Sequence, residues 1–225
     1  VLARTRIKIC GLTREQDVDA AAEAGADAVG FVLYDNSPRH VSIARAADLA
    51  RRLPPFITPV LLFVNADAAT VQAACQAIPN ALLQFHGDES PADCAAAARG
   101  RPYLRAARIP LSEAAGFDLV NFASHFSQAQ AILLDAHVDG YGGAGKAFDW
   151  SRIPTNVDAH LVLSGGLTPA NVGDGIALLR LRCKTLAVDV SSGVEAAKGI
   201  KDTGKIHQFV AAVRAADERL ANPFP

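Results

Sequence analysis

Arg6-Ile7-Lys8-Ile9-Cys10-Gly11-Leu12-Thr13 is the stretch that decides the fold. A β-prone run ends in a cysteine and a glycine. A helix start follows at once, because Thr13 and Gln16 have the spacing of a capping box. Strand, tight turn and helix then recur along the whole chain. β-Prone runs of ordinary strand length follow at 28–33, 58–64, 81–85, 103–107, 131–135, 160–164 and 185–190, which with the first makes eight. The intervening helices have start signals of their own. Ser42 and Asp67 are N-caps, Ser90 and Asp93 form a second capping box around Pro91, and Thr168-Pro169 opens another helix. The last helix runs from about Lys201 to Leu220, short of Pro223.

Strands that alternate with helices pair in parallel, since a parallel neighbour needs a crossover. Eight units in 225 residues allow about 28 residues each, a compact (β/α)8 barrel forming one domain over residues 1–225. The alternative is an open doubly wound sheet. Two features favour the barrel. No Pro/Gly/Ser-rich linker divides the chain, and the turn after the first strand lacks the G-x-G-x-x-G pattern of dinucleotide-binding sheets. Alternation then sorts the side chains. If the helix-facing set is apolar, then Lys8, Cys10, Gln84, His86, Arg105, Asp135, Asp189 and Ser191 point into the lumen. Several of them end their strands, at the face where barrels of this kind carry active sites.

Composition excludes several classes of function. Half of the residues are hydrophobic, which is too many for a disordered chain. The 22 Lys and Arg against 23 Asp and Glu leave a net charge of -1, with no basic surplus for nucleic acid. No apolar run approaches the ~18 residues of a membrane helix and no signal-peptide pattern opens the chain, so a cytoplasmic protein is expected. Cys10, Cys75, Cys94 and Cys183 have neither zinc-module nor CxxC spacing and are expected as reduced thiols. No His/Asp/Glu cluster has metal-ligand spacing, so no metal is expected.

The strongest local signal is a pair of glycine-containing loops after strands seven and eight, Ser164-Gly165-Gly166-Leu167 and Ser191-Ser192-Gly193-Val194. Glycines let backbone N–H groups approach an anion, and these loops are the usual phosphate site of phosphate-binding barrels. Gly140-Tyr141-Gly142-Gly143-Ala144-Gly145-Lys146-Ala147 nearly spells a P-loop, but Ala147 replaces the hydroxyl that binds Mg²⁺. It reads instead as a loop able to close over a ligand. Cys10 ends strand one and Asp135 ends strand six, a thiol and a carboxyl suited to act as base and acid across one lumen. Lys8 lies below Cys10 on the same face, expected to pair with Asp189 and to lower the Cys10 pKa. Arg39 and His86 follow strands two and four, where a guanidinium suits a planar carboxylate and an imidazole can contact substrate.

Taken in order, these segments resemble one family, the phosphoribosylanthranilate isomerases. The resemblance rests on Lys8-Ile9-Cys10-Gly11-Leu12-Thr13, Ser37-Pro38-Arg39, Gln84-Phe85-His86-Gly87, Leu133-Leu134-Asp135, Phe148-Asp149-Trp150, Ser164-Gly165-Gly166 and Asp189-Val190-Ser191-Ser192-Gly193-Val194-Glu195. It departs only in small ways: Phe85 stands where the family usually has Leu, and the strand-six loop is Ala-rich. The resemblance implies a (β/α)8 barrel and a cofactor-free Amadori rearrangement in tryptophan biosynthesis. It implies Cys10 as general base and Asp135 as general acid. It implies Arg39 on the anthranilate carboxylate, His86 and Asp189 around the sugar, and Gly165, Gly166, Ser191 and Ser192 on the phosphate. The expected partner is a small phosphorylated substrate, with the chain a monomer or homodimer. Competing readings are indole-3-glycerol-phosphate synthase, a metal-dependent epimerase, a broader isomerase, and a catalytically silent barrel that binds a phosphorylated ligand. The synthase would rely on lumenal Lys and Glu, yet Lys8 is the only lumenal Lys and no Glu ends a strand.

Overall fold

The structure, a computed structural model, describes residues 4–111, 116–137 and 148–222. Eight parallel strands close on themselves: β1 (Arg6–Cys10), β2 (Ala28–Val32), β3 (Thr58–Phe63), β4 (Leu82–Phe85), β5 (Tyr103–Pro110), β6 (Ala131–His137), β7 (His160–Leu163) and β8 (Thr185–Val190). The seam pairs β1 with β8, with Lys8 opposite Asp189. Each strand pairs with the next in the chain, so the topology is the (β/α)8 barrel expected of a strand–helix alternation.

Among the described residues seven α-helices cover the barrel: α1 (Glu15–Ala24), α2 (Ile43–Ala50), α3 (Ala68–Ala77), α4 (Pro91–Ala98), α5 (Leu119–His125), α6 (Val172–Leu179) and α7 (Thr203–Ala221). Between β6 and β7 the described residues hold only a 3-10 turn, Trp150–Arg152. The glycine-rich segment 140–147 lies outside the described residues. Ser42, Asp67 and Ser90 cap their helices as expected, with Ser90 and Asp93 completing a capping box.

Three helix starts differ from expectation. Thr13 caps nothing: α1 begins at Glu15, and the Thr13 hydroxyl donates instead to the Gly199 carbonyl at 2.8 Å. Thr168-Pro169 forms a turn rather than a helix start. The Asn171 side chain accepts from the Thr168 N–H there, and α6 opens at Val172. Asp202 caps α7, while Lys201 belongs to a small antiparallel hairpin of β9 (Glu195–Ala197) and β10 (Ile200–Lys201).

Side-chain alternation follows the pleat. Ile7, Ile9, Phe31, Phe63 and Phe85 pack outward in the layer shared with the helices. Val60, Leu104, Ala106, Leu133 and Val162 fill the floor of the lumen. The polar residues Lys8, Gln84 and Asp189 come next along their strands, and Cys10, His86 and Asp135 end the series. Arg105 corrects the expectation of an apolar helix layer, because it faces outward. Its guanidinium lies over the rings of Phe122 and Phe126, 4.8 Å from the nearer centroid. It donates to the carbonyls of Phe85 and Gly87 at 3.0 Å and pairs with Glu89. A planar cation with these partners is tolerated where an unpaired charge is not.

The N-terminal end of the barrel is held by a polar knot. Asp217 of α7 accepts from the Thr5 backbone N–H at 2.8 Å and from its hydroxyl at 2.5 Å, and it pairs with Arg180. Thr5 is fully buried, so Asp217→Ala leaves donors without acceptors and is expected to cost about 2–3 kcal/mol. Urea denaturation checks this. The midpoint should fall while turnover at saturating substrate stays unchanged, because the knot lies at the opposite end of the barrel from the strand-end residues.

Candidate active site

The site is built at the C-terminal strand ends, beginning with the seam. Lys8 Nζ and Asp189 Oδ2 are 2.9 Å apart, and both side chains are buried. The second carboxylate oxygen of Asp189 is buried with no hydrogen-bond partner among the described residues. Burial pushes the Lys8 ammonium toward losing its proton, but attraction from Asp189 and then Cys10 outweighs it and raises its pKa.

Cys10 lies one pleat above Lys8 and opposite Gly30 of β2. A Cβ on Gly30 would meet the Cys10 Sγ at 2.5 Å, so only glycine leaves the thiol its seat. Burial pushes the thiol pKa up. Lys8 acts against that, Asp189 adds to it, and the net result lies above the ordinary value of 9.0. The expected lowering by Lys8 is therefore present in direction but is outweighed by desolvation.

Asp135 is met by a chain of buried groups. Its Oδ1 accepts from the Ala136 N–H at 3.0 Å, and its Oδ2 lies 3.0 Å from His86 Nε2. Gln84 Nε2 donates to His86 Nδ1 at 3.0 Å, which leaves the ring hydrogen on Nε2 to donate to Asp135. Gln84 Oε1 is buried without a partner among the described residues. Half a turn of that amide would present an acceptor to Nδ1 and free Nε2 to take a proton from the carboxyl. His86 itself is steadied from behind. Glu89 accepts from the N–H groups of Gly87 and Asn65 at 2.9 and 2.7 Å.

Gly165 adopts φ 77°, the left-handed region that favours glycine. A Cβ there would stand 2.9 Å from Asp135 Oδ1 and 2.7 Å from the Ala136 nitrogen. This glycine therefore gives the carboxylate room, besides lining its own loop. Gly193 of the other loop lies against the Leu167 carbonyl, so the loops after β7 and β8 touch backbone to backbone. Among the described residues, no hydrogen bond engages the backbone N–H of Gly166, Ser192 or Gly193.

Arg39 is not a solvated loop residue. It is 7 % exposed, and its Nε and Nη2 donate to the two carboxylate oxygens of Glu195 at 2.7 and 2.8 Å. Lys201 donates to the same Glu195 at 2.9 Å and to Ser191. The residues anticipated from sequence thus fall into two groups: Cys10, Asp189, Asp135 and His86 in the lumen, and Arg39, Ser191, Ser192, Gly165 and Gly166 at the rim. Gln84, Glu89, Glu195 and Lys201 were not anticipated as functional. Gln84 was legible only as a lumenal neighbour of His86, and Glu195 only as the end of a motif. Nothing near Lys201 in sequence marks it. Among the described residues, no group of three or more His, Cys, Asp or Glu side chains is placed to hold a metal ion, and no helix is long and apolar enough to cross a membrane.

Comparison with known proteins gives a consistent result. A sequence profile described as N-(5'phosphoribosyl)anthranilate (PRA) isomerase matches residues 7–212. An N-(5'-phosphoribosyl)anthranilate isomerase of Leptothrix cholodnii is 66% identical over 217 residues, covering 96% of this chain and 94% of that protein. The crystal structure of phosphoribosyl anthranilate isomerase from Thermotoga maritima superposes with a TM-score of 0.82 at 37% identity, covering 94% of this chain and 99% of that one. A phosphoribosyl anthranilate isomerase in complex with reduced 1-(o-carboxyphenylamino)-1-deoxyribulose 5-phosphate superposes with a TM-score of 0.77 at 35% identity, over 94% and 99% of the two chains.

The electrostatics of Cys10 are open to direct measurement. Its alkylation by iodoacetamide, followed by peptide mass spectrometry, should be slow at neutral pH and accelerate only above pH 9, its ordinary value. Lys8→Met removes the cation that most favours the thiolate, ahead of Lys201, and should move that rise further alkaline. A rise at lower pH in the variant would contradict the assigned role of Lys8.

Proposed function

The chain belongs to the N-(5'-phosphoribosyl)anthranilate isomerase family, and from that premise we propose that Cys10 and Asp135 carry out its reaction as base and acid. The reaction converts N-(5'-phosphoribosyl)anthranilate, an aminoaldose of tryptophan biosynthesis, into 1-(2-carboxyphenylamino)-1-deoxyribulose 5-phosphate. The observation that carries the assignment is the arrangement at the strand ends. A buried thiol and a buried, histidine-linked carboxyl end two strands of one lumen, beside the glycine-containing loops after β7 and β8.

Asp135, protonated, gives its hydrogen to the furanose ring oxygen. The bond from C1 to that oxygen breaks, and the nitrogen lone pair forms a C=N iminium. Cys10, its thiol proton passed to solvent, then removes the proton on C2 as thiolate. The electron pair left behind forms the C1=C2 bond of an enolamine and neutralises the iminium. Return of the Cys10 proton to C1, with loss of the C2 hydroxyl proton to the Asp135 carboxylate, yields the ketone and resets both groups. The substrate's own nitrogen is the electron sink, so positioned acid and base groups suffice.

The raised thiol pKa fits this order of events. A cation adjacent to C2 exists only after ring opening, and a nearby positive charge favours a thiolate. The Gln84–His86 pair suits Asp135 to both forms it must take. With the amide as it stands, His86 donates to a carboxylate, and with the amide turned it accepts from a carboxyl. Gly165, Gly166, Ser191 and Ser192 receive the phosphate, and Arg39 receives the anthranilate carboxylate. His86 and Asp189 line the sugar, where the unpartnered Asp189 oxygen is an acceptor for a ribose hydroxyl.

A fluorescence assay of phosphoribosylanthranilate consumption tests the assignment. Cys10→Ala and Asp135→Asn should each lower kcat by about 10²–10⁴-fold with little change in KM. Turnover undiminished in either variant removes that residue from its role. Gly30→Ala should also lower kcat, since its methyl displaces Sγ, and should cost about 1–3 kcal/mol in urea unfolding.

A further inference from the structure

We propose that Lys201 is a positioning residue that couples the two anion-binding ends of the site. Through Ser191 it aims a hydroxyl donor at the phosphate, and through Glu195 it sets the bearing of Arg39. This rests on the isomerase reading above.

The three hydrogens of the Lys201 ammonium meet three acceptors: the Ser191 carbonyl at 3.0 Å, the Ser191 Oγ at 3.2 Å and Glu195 Oε1 at 2.9 Å. An ammonium has no acceptor, so Ser191 Oγ must accept from it. The hydroxyl hydrogen is then turned away from Lys201 and is available to an anion. Glu195 divides its two oxygens among Lys201 and the Arg39 fork. Burial raises the pKa of that carboxyl, but the bonds from Arg39 and the charge of Lys201 outweigh it and hold the group ionised. One carboxylate against two cations leaves a net positive charge at the rim, the sign a substrate with a phosphate and a carboxylate requires.

Both arms meet beside the base. A Cβ on Gly11, the residue after Cys10, would stand 2.5 Å from Arg39 Cδ and 3.1 Å from Ser191 Oγ. The hairpin that carries Lys201 is strapped in place on several sides. Arg14 donates to the Lys201 carbonyl at 3.1 Å, Lys205 donates to the Glu195 carbonyl at 2.8 Å, and Gly199 packs on the Pro38 carbonyl. The side chain is wholly shielded from solvent. A cation buried at such a desolvation cost, with every donor used on Ser191 and on the carboxylate that holds Arg39, is placed to orient them.

A double-mutant cycle tests the coupling, with inorganic phosphate and anthranilate as separate probes. Lys201→Met should raise the inhibition constant of inorganic phosphate about tenfold and raise KM more than it lowers kcat. Ser191→Ala should cost a similar factor in the wild-type background and little when Lys201 is already Met. Glu195→Gln should weaken anthranilate while sparing phosphate. Additive losses in the cycle, or unchanged phosphate inhibition in Lys201→Met, overturn the proposal. Calorimetric titration of inorganic phosphate runs the same cycle without turnover, so it stands even where the isomerase reading fails. Lys201→Arg supplies a charge-preserving variant if Met does not fold. It should retain part of the phosphate affinity, and a loss equal to that of Ser191→Ala would count against the hydroxyl's orientation by the cation.

Discussion

The ion pair of Lys8 and Asp189 sits where the first strand meets the last, and much of the site depends on it. It joins two residues 181 positions apart, in register, at the only seam where the barrel closes. A buried pair gains little net stability, because desolvation consumes most of the Coulomb attraction. Its value here is directional. The ammonium is held beneath the Cys10 thiol, and the second oxygen of Asp189 is left in the lumen with no hydrogen-bond donor among the described residues.

From that layer upward the chemistry is divided by environment. Burial pushes the thiol pKa up, and Lys8 pulls against it. The carboxyl is met by a histidine whose ring hydrogen is directed to it by the Gln84 amide. Two ordinary side chains thereby stand in unlike surroundings, with the difference coming from their neighbours. Backbone geometry enforces the arrangement. Gly30 exists to seat a sulfur, and Gly165 exists as much to clear a carboxylate as to line an anion loop.

The rim follows the same logic with larger charges. Arg39, Glu195 and Lys201 form a buried, net positive cluster whose members hold one another in place. Preorganised donors spare the cost of ordering them at the moment of binding. The hairpin of β9 and β10 looks like an appendage of the barrel. Its position on the loops after β1 and β2 makes it part of the site instead.

Much of this was legible in the chain itself. Strand runs, the Ser90 capping box, the glycine loops and the strand-end placement of Cys10 and Asp135 depend on neighbours within a few residues or on period-two alternation. Local pattern reports such features faithfully. Even the Lys8–Asp189 pair was legible once the eighth strand was taken to close on the first. The misreadings have the opposite character. Thr13 has the spacing of a cap, but its hydroxyl is claimed by Gly199 from 186 residues away. Arg105 reads as lumenal because it is charged, yet the pleat turns it to the helices, where Phe122, Phe126, Glu89 and two carbonyls make that layer hospitable to a guanidinium. The sequence by itself determined the architecture and the strand ends at which Cys10 and Asp135 stand. Only the tertiary structure decided which charges meet. Arg39 and Glu195 are 156 residues apart, and no local signal specifies a partner that burial alone selects.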